Sequence, residues 1–126
     1  MQPHEKLKAW EHAHRLFLAV HKATKGWPRD ERYELTSQVR RAAFSVPANI
    51  AEGASRRGPR ELRKALDIAR GSLAELGYGL VAAKALGYLS DDEWLQIEPI
   101  RDEASRVLWA LLEAVSKRCG GPPTAN

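Results

Sequence analysis

Arginine and lysine crowd one stretch of this chain. Arg56, Arg57, Arg60, Arg63 and Lys64 fall within nine residues, and Arg70 extends the run. Cations at that density neutralise phosphates, which gives salt-dependent and sequence-tolerant affinity for RNA or DNA. The competing reading is a solvated arginine-rich surface, or one that meets acidic protein surfaces. From Arg40 to Arg70 eight basic residues face three acidic ones, a balance of +5 against +4 for the whole 126-residue chain. From Asp91 to Arg118 seven acidic residues face four basic ones. Opposite signs on successive elements can pair within the fold or across subunits. A basic middle is also an electrostatic footprint for nucleic acid. No aromatic residue interleaves the basic run, so the sequence gives no sign of base stacking.

Other reactive residue types are sparse. His4, His12, His14 and His21 never form the i, i+4 pair of a helical zinc site, and no Glu-x-x-His ligand motif occurs. Ser72 follows a glycine, but GxSxG is absent and no spacing implies a Ser/His/Asp set. Phosphate-cradling loops of the GxxxxGK[ST] or GxGxxG kind are missing as well. Glu52 and Glu75 are the remaining acids of interest. A buried carboxylate needs a partner, and Arg41 is the obvious one, within the chain or between copies. These observations point away from an enzyme and imply no metal or cofactor.

The elements that position these residues read as helices. Pro3 to Thr24 carries Leu7, Trp10, Phe17 and Val20 on one stripe, widened by Ala13 and Leu16, and stops at Gly26-Trp27-Pro28. Trp27 is placed to cover the end of a core. A second helix is expected from an N-cap at Asp30 to Ala54, passing Pro47 with a bend rather than a break, because Ala43, Val46 and Ile50 keep their spacing across it. Gly58-Pro59 opens a third helix in which Leu62, Leu66, Ala69, Leu73, Leu76, Leu80 and Ala83 form a heptad seam. Gly71, Gly77 and Gly79 cost about 1 kcal/mol each relative to alanine there, tolerable where a neighbouring backbone comes close. Ser90 and Glu93 make a capping box for a fourth helix buried through Trp94, Ile97, Ile100, Ala104, Val107, Leu108, Leu111 and Val115. The expectation is an all-α, antiparallel up-down-up-down four-helix bundle over residues 1–118, with a disordered C-terminal tail over 119–126.

The second helix bears two stripes. Leu35, Val39, Ala42, Ala43, Val46 and Ile50 make an apolar face. Ser37, Arg41, Ser45, Ala48 and Glu52 make another that is small or polar, and Ser72 and Glu75 repeat the theme on the third helix. A helix with so many small residues between its charges is packed on two sides. Ser37, Arg41, Ser45, Glu52, Ser72 and Glu75 are therefore the expected contacts between copies. Cys119 is the one cysteine, which excludes a disulfide framework and fits a reducing compartment. The N-terminus lacks an apolar signal core, and no run reaches the roughly 20 apolar residues of a membrane span. A cytoplasmic protein without membrane contact is expected.

In LTSQVRRAAFSVPANIAEG, Leu35 to Gly53, the chain resembles the bacterial four-helix bundle family of proteins encoded in intervening sequences of large-subunit ribosomal RNA genes. That family includes the accessory variability proteins of diversity-generating retroelements. The matching pieces are Leu35 to Gln38, Arg40 to Ala42, Pro47 to Gly53, Ile68-Ala69 and Gly71 to Leu76. Gly77 and Gly79 depart from the longer polar residues of the pattern. The resemblance implies a homopentameric, ring-shaped barrel with a basic surface and no enzymatic activity. For the retroelement members it implies binding to nucleic acid and to a reverse transcriptase. The function expected is thus a non-catalytic oligomeric binding protein for RNA or DNA, the alternative being an interaction scaffold that binds no nucleic acid.

Overall fold

The computed structural model describes the backbone of residues 3–120 and the side chains from Lys6 to Gly120. Four long helices make up the chain: α1 (Pro3–Thr24), α2 (Leu35–Ala54), α3 (Gly58–Ala85) and α4 (Asp91–Arg118). Strands are absent among the described residues. Residues 121–126 of the expected tail, and the His4 side chain, lie outside the described residues. Each helix touches two others: α1 packs on α2 and α4, and α3 packs on α2 and α4. The result is a four-helix bundle with one core running its length.

The α3 seam lies wholly inside. Leu62, Leu66, Leu73, Leu76 and Leu80 are all at most 4% exposed. Burying each contributes about 1.5–3 kcal/mol relative to leaving it in water. On α4, Ile97, Ala104, Leu108, Leu111 and Val115 are buried as expected, while Trp94, Ile100 and Val107 pack at the margin. The capping box is complete: Glu93 N donates to Ser90 Oγ, and Ser90 N donates to Glu93 Oε1 at 2.8 Å. Trp27 is buried and its ring lies 6.1 Å from that of Tyr88, so two connections close one end of the bundle together.

Two elements differ from the sequence reading. The helix expected from Asp30 begins only at Leu35, after a 3-10 turn over Arg29–Glu31. The backbone N–H groups of Glu31, Arg32 and Glu34 each reach back three residues, to Pro28, Arg29 and Glu31. The Glu31 carboxylate is shared: Oε1 accepts the Leu35 N–H at 3.4 Å, at the start of α2, and Oε2 accepts the Tyr88 hydroxyl at 2.7 Å. On α1 the buried stripe is Ala9, Ala13, Leu16 and Val20, whereas Leu7 is 56% exposed and Trp10 and Phe17 sit on the flank. The two alanines let α1 approach the bundle closely, and the large rings turn sideways to escape the crowding. α2 does run unbroken through Pro47. Just past it, Asn49 Nδ2 donates to the Ser45 carbonyl and to Ser45 Oγ, at 2.8 and 2.9 Å.

The α2–α3 contact is the tightest. A Cβ at Gly53 would lie 2.7 Å from Ala65 Cβ, and one at Gly79 would lie 2.6 Å from Val39 Cγ2. Those two positions are glycine because no other residue lets the two helices approach so far. Between them, Ser72 Oγ donates to Ser45 Oγ at 2.7 Å. Gly77 has another reason: the Arg101 guanidinium lies over it, 3.0 Å from where a Cβ would stand. Gly71 faces open space.

Candidate nucleic-acid and assembly surfaces

The tight α2–α3 turn fixes where the basic run is displayed. Gly58 takes φ +82°, a conformation that side chains with a Cβ resist, and it reverses the chain between Arg57 and Pro59. Arg57 and Arg60 are exposed on either side of it. Arg56 reaches back one turn to Glu52, NH2 to Oε2 at 2.6 Å, and this hydrogen bond is the main cause that holds its guanidinium pKa above the usual arginine value. Lys64 projects into solvent, 3.5 Å from Glu61, and half-buried Arg63 is engaged with its surroundings. Screening leaves such solvated pairs weakly bound, so their cations stay available to an anion.

Two further cations join them. Lys6 and Arg118, from opposite ends of the chain, line a cleft of about 160 Å³ together with Gly53, Arg56 and Leu62. No local pattern links these residues, and only the packing of α1 and α4 against the turn brings them there. Arg70 goes the other way. It sits about 20 Å up α3 from Arg57 by helical rise, with its guanidinium 5.8 Å from the Trp109 ring centroid. The nearest carboxylate oxygen is Asp67 Oδ1 at 4.0 Å. Arg70 thus belongs to the α3–α4 groove and does not extend the terminal cluster.

The residues expected between copies divide in the same way. Ser37 is half-buried and Arg41 and Glu52 are exposed along the outer crest of α2. Within the single chain Glu52 pairs with Arg56, in the turn that follows α2. Ser45 and Ser72 face each other inside the chain, and Ser72 is only 9% exposed. Glu75 is exposed at the edge of a groove of about 350 Å³ between α2 and α3, beside Glu34, Leu35, Tyr78 and Leu86.

On the α1 flank His14 and His21 enter a ring ladder. Trp10 and His14 stack with centroids 4.8 Å apart and planes 9° apart, His14 meets Phe17 at 6.5 Å, and Phe17 meets His21 at 6.0 Å and Phe44 of α2 at 5.9 Å. The sequence reading passed over this ladder because spacings of three and four also describe a buried stripe. Among the described residues no group of three or more His, Cys, Asp or Glu side chains could hold a metal ion. No helix among them is long and apolar enough to cross a membrane.

No curated protein matches the chain. The sequence model of the 23S rRNA-intervening sequence protein family matches residues 5–110. With a four-helix bundle and a match spanning most of its length, the chain belongs to the 23S rRNA-intervening sequence protein family.

Proposed function

We propose that this protein is a non-catalytic, cytoplasmic nucleic-acid-binding protein that works as a ring of antiparallel four-helix bundles. The observation that carries the binding reading is the convergence of Lys6, Arg56 and Arg118 on one cleft, with Arg57, Arg60 and Lys64 exposed around it. Such a surface contacts phosphates and not base edges, so it favours RNA or DNA with little sequence preference. Weak contacts repeated on every copy of a ring would add through effective concentration. A ribosomal RNA intervening sequence is one natural source of such a ligand. The resemblance to retroelement accessory proteins adds a reverse transcriptase as a protein partner, and it supplies five as the subunit number.

Replacing Arg56, Arg57, Arg60 and Arg63 with glutamine tests the binding reading in a salt titration with a labelled RNA oligonucleotide. Loss of four phosphate contacts lowers the slope of log affinity against log salt by about 3. Unchanged affinity and slope would refute this surface. The second reading, a scaffold that binds only proteins, draws on the apolar side chains left exposed, among them Phe44, Tyr78, Leu86 and Leu95. Absence of any shift with RNA or DNA at low salt would favour it.

A further inference from the structure

Arg101, Ser105 and Trp109 recur every four residues, so they stand on one stripe of α4. Arg70 and Ala74 of α3 face that stripe, and a groove of about 430 Å³ opens between the helices over buried Leu73 and Leu108. The volume is that of a small-molecule site. Arg106 lines the groove as well, so among the described residues its charged side chains are arginines alone. The three are held differently. Arg101 is fixed: Nε and Nη2 each donate to Glu98 at 2.9 Å, while Nη1 lies over the bare backbone of Gly77. Arg106 pairs with Glu103 largely in solvent, where screening leaves the cation open to an anion. Arg70 is the least committed. Its Nη2 stops 4.0 Å from Asp67 Oδ1, outside hydrogen-bond reach, and that buried oxygen has no hydrogen-bond partner. The guanidinium rests over the Trp109 indole, which is 37% exposed. An exposed contact of that kind is weak, so the cation leaves the ring at little cost.

We infer that this groove binds a nucleotide, with the base stacked on Trp109 and the phosphate between Arg101 and Arg106. The sugar then lies over the leucine floor beside Ser105, and Arg70, displaced from the indole, closes over the outer face of the base. Length and chemistry select this ligand class together. Eight residues of α4 set Arg101 and Trp109 about 12 Å apart along the helix. A simple aromatic acid joins ring and charge directly and covers only part of that length, whereas a nucleotide puts a sugar between them and spans it. Every base offers a flat face to an indole or a guanidinium, so the site tolerates any base. A base inside a duplex is covered on both faces by its neighbours, so the groove selects unpaired ones. The nucleotide comes either free or as one unit of a single strand. In the second case the inference rests on the nucleic-acid reading above, to which it adds the aromatic face that the basic turn lacks.

The test labels the full chain with fluorotryptophan and follows the fluorine resonance of Trp109, identified by its loss in Trp109→Phe. Adenosine monophosphate, an oligoadenylate strand, an RNA duplex and inorganic phosphate are titrated in turn. The Trp109 resonance should shift with the first two and stay in place with the others. Tighter binding by the strand identifies single-stranded nucleic acid as the source; equal or weaker binding identifies the free nucleotide. Trp109→Ala should lower affinity for adenosine monophosphate about 5- to 150-fold, the worth of one stacked base, and Trp109→Phe should recover part of it. Arg70→Gln combined with Arg106→Gln, both at exposed positions, should weaken the same binding if Trp109→Ala misfolds. Glutamine at Arg56, Arg57, Arg60 and Arg63 should leave the shift with adenosine monophosphate unchanged, which separates this site from the basic turn. A resonance unmoved by adenosine monophosphate and by the strand would overturn the inference, whatever the salt titration shows of the turn. So would an equal shift with the duplex or with phosphate alone.

Discussion

Alanine at Gly53 and alanine at Gly71 should move stability in opposite directions. Both glycines lie inside helices, and replacing either removes the same backbone entropy cost, about 1 kcal/mol in favour of the folded state. At Gly71 nothing stands within 4 Å of the new methyl, so the full gain is realised. At Gly53 the methyl arrives 2.7 Å from Ala65 Cβ and 2.9 Å from Leu62 Cδ1. Leu62 can rotate away, but Ala65 Cβ is fixed to the α3 backbone, so the helices must part. Overpacking of that kind costs about 1–3 kcal/mol, leaving a net loss of up to about 2 kcal/mol. Urea denaturation at one protein concentration reads both changes, and the two variants should differ by about 1–3 kcal/mol. Equal stabilisation at the two sites would refute the claim that α2 at Gly53 lies hard against Ala65 of α3.

Two other expectations concern the closed end of the bundle. Ser90→Ala removes one half of the capping box at the start of α4 and should cost about 1 kcal/mol in thermal or urea unfolding, with Ser90→Asp restoring most of it. Tyr88 donates its hydroxyl to Glu31, and this hydrogen bond first, then desolvation and the charges of Glu31 and Asp30, push its pKa above the usual tyrosine value of 10.0. A raised folded value means that the contribution is complete below about pH 10 and disappears as pH climbs through the higher folded pKa. With Tyr33 and Tyr78 changed to phenylalanine, ultraviolet titration isolates Tyr88; Glu31→Gln should bring its ionisation to lower pH, and an unmoved curve would show the bond to be unimportant.

What could be read from the sequence was local. The α3 seam from Leu62 to Ala83 keeps one period over its whole length, and the Ser90–Glu93 box lies within four residues, so neither depends on the rest of the fold. The passage of α2 through Pro47 was legible because apolar spacing continues on both sides. The start of α2 was not, since a 3-10 turn takes residues 29–31 and Glu31 there serves both Leu35 N–H and Tyr88, far along the chain. Nor could spacing tell a core stripe from the Trp10–His14–Phe17–His21 ladder, because both repeat every three or four residues; small Ala9 and Ala13 beside it decided which face went inside. The basic turn was visible as composition, yet Lys6 and Arg118 join it only through packing, and Arg70 leaves it because helical rise carries it to Trp109.

The two glycines and the serine pair along α2 and α3 bear on how force and heat travel through the molecule. Pinned at Gly53 and Gly79 and stitched midway by Ser45 and Ser72, that hairpin behaves as a single plank, with α1 and α4 as lighter rods laid against it. Loosening then begins with the rods. A pull on the Arg56–Arg57 turn passes straight down the plank, and the crest bearing Arg41 moves with that turn.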